Sequence, residues 1–177
     1  MPTTFHESNV ELTFEDGCRV VQYDASSWYR KHFNACADSA AVDFVVVRDG
    51  VSWLIEIKDF TATAPHREKG PLWLIVTVKV RDTLAGLVAG GFKAGNADER
   101  RLFEAAVRAA SLRVVFHCER PTHVRRLFAS LPDAADLQDK LRQTLRAVDA
   151  HVRVIDCAHP LQGAPWTTTW APRGGTS

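Results

Sequence analysis

What is scarce in this sequence narrows it first. Its four cysteines, Cys18, Cys36, Cys118 and Cys157, lie far apart and form no CxxC pair, so neither a disulfide framework nor a zinc-ribbon spacing is written into the chain. No stretch approaches the roughly 20 apolar residues that a membrane-spanning helix needs. The longest candidate, PLWLIVTVKV, already carries Lys79, and Arg81 follows it. No apolar leader stands behind MPTTFHESN, so the cytoplasm is the expected compartment and no membrane partner is expected. An excess of one charge is missing too: Lys+Arg 22 against Asp+Glu 21 leaves a net charge of +1. Without a global basic field, any nucleic-acid contact has to rest on local clusters. Internal repeats and low-complexity tracts are absent as well.

What is present suits one ordinary domain. The 177 residues, 46% hydrophobic and 24% charged, are enough to bury a core without staples. Residues 1–160 read as that domain, and residues 161–177, rich in Pro, Gly and Thr, as an extended C-terminal tail. VELTF and CRVVQYD flank Glu15-Asp16-Gly17 and predict an antiparallel hairpin, with Gly17 supplying a positive φ. Ser26 and Ser27 cap a short helix, WYRKHFNACA. A second hairpin, AVDFVVVRDGVSWLIEIKDF, runs from Ala41 to Phe60 and leads into a polar loop, TATAPHREKG. The next segment predicts one helix over 72–89 that stops at Gly90-Gly91, with a strand over its β-branched start as the alternative. Asn96 caps ADERRLFEAAVRAA, which carries Asp98 and Glu99 in its first turn and Leu102, Phe103, Ala106, Val107 and Ala110 on one face. LRVVFHCE reads as a strand, THVRRLFAS as a short helix and HVRVIDC as a last strand. Between them DAADLQDKLRQTLRAVD is a helix, with Leu137, Leu141, Leu145 and Val148 at helical spacing. The expected fold is α/β, a central mixed sheet flanked by helices.

The second hairpin raises a question, because Asp43, Glu56 and Lys58 interrupt strands that are otherwise apolar. Asp49-Gly50 favours a two-residue turn in which Arg48 pairs with Val51. That register sets Asp43 directly across from Glu56. Because side chains alternate, Lys58 joins the same face, while Phe44, Val46, Trp53, Ile55 and Ile57 form an apolar surface on the other. Directly opposed carboxylates have Cβ atoms about 5 Å apart, and two full charges at that distance repel by roughly 3 kcal/mol at an effective dielectric of 20. A proton, the Lys58 ammonium or a divalent cation would relieve the repulsion. The cation is the remedy that makes chemistry. Mg²⁺ takes oxygen ligands and is commonly held by one or two carboxylates plus substrate phosphate. Asp43, Glu56 and the carbonyl of Ile57 are its candidate ligands, with Lys58 orienting or helping to deprotonate a water.

Asp43, then Glu56 thirteen residues on, then Ile57 and Lys58 on the second strand of a hairpin resembles the PD-(D/E)xK nuclease superfamily. The resemblance covers mainly Val42 to Phe60. It implies a restriction endonuclease-like sheet, dependence on Mg²⁺ or Mn²⁺ and hydrolysis of phosphodiester bonds in nucleic acid, with Asp43, Glu56 and Lys58 catalytic. Val42 and Ala41 stand where the motif's name has a proline. Many members also carry a glutamate on a helix before the hairpin, and WYRKHFNACA has no acid; Glu7, Glu11 and Asp24 are the candidates to replace it. Some members add polar residues from the following helix, where Lys79, Arg81 and Asp82 stand here. On a helix Lys79, Asp82 and Thr83 share a face.

Competing readings attach to other residues. His117, Cys118, His123, Cys157 and His159 suggest zinc, but His117 and Cys118 point to opposite strand faces, and a buried cysteine with a surface histidine is the expectation. Glu119 reads as a capping or ion-pairing residue. The arginines between Arg100 and Arg126 alternate with acids and read as a solvated surface, and Trp166 and Trp170 as anchors of the tail on its own core. With balanced charge, a nucleic-acid substrate is expected to be structured or delivered by a protein partner or a second copy of the chain. The alternative function is a non-catalytic interaction module within a protein complex.

Overall fold

The computed structural model describes residues 1–61, 70–121 and 132–171. Eight strands and three α-helices follow in the order β1 (Thr3–Glu7), β2 (Val10–Phe14), β3 (Arg19–Gln22), β4 (Phe44–Arg48), β5 (Val51–Asp59), α1 (Leu72–Lys93), α2 (Ala97–Val107), β6 (Ser111–Glu119), α3 (Ala134–Thr144), β7 (Arg153–Ile155) and β8 (Trp166–Trp170). A π-helical turn, Tyr29–Phe33, precedes β4. The fold is α/β, with a five-stranded mixed sheet ordered β3-β4-β5-β6-β7. Its β3–β4 and β4–β5 pairs are antiparallel and its β5–β6 and β6–β7 pairs parallel.

The central sheet is covered on both faces, which explains why its strands read as near-continuous apolar runs. Val45, Leu54, Val114 and Phe116 pack under the helices, together with Val76, Val80 and Leu87 of α1, Leu102 and Phe103 of α2, and Leu137 and Leu141 of α3. Phe44, Val46, Ile55, Ile57 and Val115 face the other way, onto Val10, Leu12 and Phe14 of β2 and Trp166 of β8. The second layer is a three-stranded antiparallel sheet ordered β1-β2-β8.

That small sheet corrects one expectation. Gly17 does take a positive φ of 86°, and the Cys18 N–H donates to the Glu15 carbonyl at 3.2 Å. The turn, however, carries the chain from one sheet to the other, and β2 and β3 do not pair. The apolar side of β2 is used up against the β4–β5 face, while β1 and β8 supply its ladder partners. Trp166, within the segment read as a tail, is buried against Phe14 and Trp53, with ring centroids 6.1 Å and 5.2 Å apart.

The helix after the hairpin is one element, and it runs through Gly90-Gly91 to Lys93. Neither glycine is a stop, and Gly90 is a packing position. A Cβ on Gly90 would stand 2.6 Å from Phe103 Cδ2 and 2.9 Å from Trp28 Nε1, so only a bare backbone lets α2 and Trp28 approach. Asn96 caps α2 as expected, its side chain accepting from the Asp98 and Glu99 N–H groups. Because α2 ends at Val107, Val107 and Ala110 are exposed, and Leu102, Phe103 and Ala106 form the buried stripe. At the π-helical turn Ser26 is a cap, accepting from the Tyr29 N–H at 3.2 Å; the N–H groups of Ser27 and Trp28 are taken by the Glu99 carboxylate at 2.7 Å and 3.0 Å. The expected helix at 122–130 lies outside the described residues, as does most of the polar loop after the hairpin.

Candidate functional site

Asp49 and Gly50 both have positive φ, 48° and 75°, the condition for a two-residue turn whose twist matches the strands. Arg48 pairs with Val51 and Phe44 with Ile55, so the register derived from the Asp-Gly dipeptide is the one observed. Asp43 stands one residue before β4, opposite Glu56. There the ladder ends, because α1 pulls the incoming chain away. The Val42 N–H donates to Thr83 Oγ1 at 3.0 Å and the Ala40 N–H to Asp82 Oδ2 at 3.1 Å. Asp43 Oδ2 accepts the Ile57 N–H at 2.6 Å, a side chain substituting for the lost ladder carbonyl. The Asp43 carbonyl meanwhile accepts from the Tyr23 N–H at 2.7 Å.

Both acids are buried on the helix side of the sheet. Glu56 is 0% exposed and Asp43 7%. Lys79, reaching down from α1, donates to Glu56 Oε1 at 2.6 Å, whereas the Lys58 ammonium stands 3.9 Å from the same oxygen. Burial, with Asp43 adding repulsion, pushes the Glu56 carboxyl up to about 8. Burial likewise raises Asp43 to about 6, against the attraction of Lys79 and the Ile57 hydrogen bond. Asp24 is raised by burial, with Lys79 and Arg30 pulling the other way. Lys79 itself is disfavoured as a cation by burial, yet Glu56, Asp43 and Asp24 together hold its pKa above the ordinary value. These shifts have one main origin, burial of the carboxyls; at Glu56 the repulsion from Asp43 adds to it, and the Lys79 ammonium offsets only part. Glu56 Oε2 and Asp24 Oδ1 are buried with no hydrogen-bond partner among the described residues.

The predicted residues therefore divide. Asp43, Glu56, Lys58 and the Ile57 backbone converge at the carboxyl end of the hairpin, and Lys79 joins them from α1. Asp82 shares the face with Lys79 and Thr83 but anchors Ala40 instead of entering the acid pair. Arg81 is 72% exposed and lies on Asp82. Of the three acids considered for the missing helical glutamate, Asp24 enters the field of both Asp43 and Lys79, and Glu7 acts on Asp43 while accepting from Gln22 at 3.2 Å. Glu11 pairs with His6 on the small sheet. Only the β3–β4 pairing, with Gln22 beside Phe44, would have pointed to Asp24.

A second polar cluster lies on the opposite face. His117 is buried, at 1% exposure, which overturns the expected surface histidine; Cys118 is buried toward the helices, as its alternation demands. His117 Nε2 lies 2.7 Å from Glu119 Oε1 and 3.8 Å from Cys157 Sγ. His159 stays 84% exposed against Asp156, and His123 lies outside the described residues.

No family model matches the chain, and no solved structure matches it. A cysteine–tRNA ligase of Neisseria meningitidis serogroup A is 27% identical over 171 residues, an alignment that takes in 79% of this chain. The chain spans only 24% of that protein's length. No helix among the described residues is long and apolar enough to cross a membrane.

Proposed function

We propose that the protein is a metal-dependent nuclease of the PD-(D/E)xK type, hydrolysing phosphodiester bonds of nucleic acid at Asp43, Glu56 and Lys58, on a restriction endonuclease-like sheet. The observation that carries the reading is the pair of buried carboxyls facing each other across a hairpin end, one of them with an oxygen that no group among the described residues satisfies. A buried polar atom without a partner is costly, and a hard divalent cation is the ligand that two opposed carboxylates suit. Asp43, Glu56 and the Ile57 carbonyl offer oxygen donors only, which favours Mg²⁺ or Mn²⁺ over softer metals. The Ile57 carbonyl leaves the strand on the same edge as its N–H, which Asp43 already engages.

When bound, such a cation would offset charge developing on the phosphate and acidify the attacking water. The chain's own residues do the rest. Asp43 is fixed by the Ile57 N–H, and Ala40 and Val42 are tied to α1, so the acid pair is preorganised before any ligand arrives. Lys58, held less closely to Glu56 than Lys79 is, at 3.9 Å against 2.6 Å, is the ammonium suited to orient a water or take its proton. Lys79 holds Glu56 Oε1, leaving Oε2 as the oxygen offered to a cation. The net charge of +1 supports a substrate delivered by a partner or bound by its shape, and the name of the Neisseria relative, a ligase acting on tRNA, is compatible with a nucleic-acid substrate.

The second reading, a non-catalytic interaction module on the same scaffold, is favoured by the 2.6 Å Lys79–Glu56 ion pair, since an internal ammonium stands in for a cation. One experiment separates the two. Melting temperature and cleavage of single-stranded, duplex and branched DNA and RNA are measured with and without Mg²⁺ or Mn²⁺, for the wild type and Asp43→Asn. The nuclease reading expects metal to raise the wild-type melting temperature and to support cleavage, with both effects lost in Asp43→Asn. Metal-independent melting together with no cleavage leaves the interaction module.

A further inference from the structure

We infer that His117, Glu119 and Cys157 form a second metal site, taking Zn²⁺, on the face of the sheet away from the acid pair. The site follows from strand register. His117 and Glu119 are two residues apart on β6 and so share a face. Strand β7 runs parallel to β6 with His117 beside Ile155, and continuing that register sets Cys157 beside Glu119. The three donor atoms lie within 4.8 Å of one another. They gather there although their sequence spacing announces nothing.

The hydrogen bonding is that of a metal-shaped cluster and not of a catalytic triad. Glu119 Oε1 and Cys157 Sγ both approach the same ring nitrogen, Nε2, and Glu119 Oε1 also accepts the Cys157 N–H at 2.7 Å. In a nucleophilic arrangement the acid would hold the other nitrogen and orient the ring. Here it competes with the thiol. Burial and the neighbouring Glu119 also push the Cys157 thiol up to about 12, the opposite of an activated nucleophile. His117 Nδ1 is buried with no partner among the described residues; moving the ring proton there gives up the Nε2–H···Oε1 hydrogen bond to Glu119 and frees the Nε2 lone pair for a metal, whose bond replaces it.

The donor set, one imidazole nitrogen, one thiolate and one carboxylate oxygen, matches a zinc site with three protein ligands and an open fourth position. Tetrahedral Zn²⁺ with ordinary bond lengths sets N and O about 3.3 Å apart and S and N about 3.6 Å apart. On these two edges the observed 2.7 Å and 3.8 Å need an adjustment of about half an ångström, chiefly by the Glu119 side chain, and the third edge lies within 4.8 Å. Binding replaces the thiol S–H bond with a sulfur–metal bond and releases that proton to solvent, so affinity rises with pH. The ion would tie the end of β6 to the segment after β7.

Titration of the metal-free full chain with Co²⁺, which shares the tetrahedral preference and is coloured, tests the site. Expected is a thiolate-to-metal charge-transfer band that saturates at one equivalent of Co²⁺ and that Zn²⁺ abolishes by displacement. Cys157→Ser loses the band, and Glu119→Gln weakens binding at least ten-fold. Cys36→Ser keeps the band, which separates this site from stray thiols, and Asp43→Asn keeps it too, because an acid pair of oxygen donors gives no thiolate band. Circular dichroism of each variant establishes that it is folded. A wild type with no charge-transfer band, or a band undiminished in Cys157→Ser, overturns the inference.

Discussion

At the carboxyl ends of β5 and β6 the same stretch of sheet carries two unlike chemistries back to back. Toward the helices lie Asp43 and Glu56, with Lys79 bonded to Glu56, Lys58 3.9 Å from it, and Asp24 within the field of Lys79. Toward the small sheet lie His117, Glu119 and Cys157. The residues alternate along neighbouring strands, Glu56 beside Phe116 and Ile57 beside His117, so a two-residue period is enough to separate them. The helix side is a set of hard oxygens with more negative charge than its cations balance. The other side combines nitrogen, oxygen and sulfur around a histidine whose burial lowers its pKa, though Glu119 opposes the shift. One end of one sheet thus carries an oxygen-only cluster and a mixed nitrogen, oxygen and sulfur cluster, and each can be perturbed without the other.

The sharpest break falls on Lys79. Its ammonium is the cation in direct contact with the buried acid, so Lys79→Met leaves Glu56 without its ion-pair partner. Removing one member of a buried pair costs about 3–5 kcal/mol. Because Glu56 is able to take a proton, the expected loss is at the low end, about 3 kcal/mol in chemical denaturation at neutral pH. Restoring Glu56→Gln in the same chain should return part of it, while Co²⁺ binding at Cys157 stays unchanged. A Lys79→Met protein as stable as wild type would show that the ion pair does not hold this face together.

What could be read from the sequence was local. The Asp-Gly turn and strand alternation were enough for the Asp43–Glu56 register, Asn96 for its cap, and helical spacing for the common face of Lys79, Asp82 and Thr83. The parts not legible depend on which strands meet across long stretches of chain. The turn at Gly17 looks the same whether its flanking strands pair or part. Asp24 becomes a site residue only because β3 lies against β4, and Cys157 only because β7 lies parallel to β6. Alternation fixed that His117 and Cys118 face opposite ways, but not that a second sheet buries the histidine. Gly90-Gly91 misled as a stop signal because close packing and chain termination both favour glycine, and only the positions of Phe103 and Trp28 decide between them.

The two faces should also respond to pH in opposite directions. Asp43, Asp24 and Glu56 have folded pKa values above their unfolded ones, so their contribution is complete below the ordinary carboxylate range and is lost as pH rises, last of all through about 8 for Glu56. Lys79 is raised from an already high value and stays charged throughout this window. His117 is lowered, so its contribution is present above about 6.5 and lost as pH falls through its folded value. Between pH 6.5 and 8 only the Glu56 dependence remains. In chelator-treated protein the melting temperature should fall across that interval, by at most about 2 kcal/mol of stability or several degrees. Glu56→Gln should flatten the slope, and His117 variants should leave it in place. A wild-type profile that is level there would mean that Glu56 is ionised throughout.

The smallest stability effect is expected at Lys58, where it sharpens the comparison most. Its ammonium is 3.9 Å from Glu56 Oε1 and part-exposed, so the ion pair contributes under about 1 kcal/mol and Lys58→Met should melt close to wild type. If Lys58 handles the proton of the attacking water, the same substitution should slow metal-dependent cleavage by about 10²–10⁴-fold, the usual contribution of a positioned acid or base. Lys79→Met would then lose stability first, and Lys58→Met activity alone. The two ammonium groups lie within reach of one carboxylate oxygen, yet the 2.6 Å bond ties Lys79 to the acid pair, while the 3.9 Å separation leaves Lys58 able to turn to solvent and substrate. Cleavage by Lys58→Met at the wild-type rate would remove that division and take the hydrolytic role of Lys58 with it.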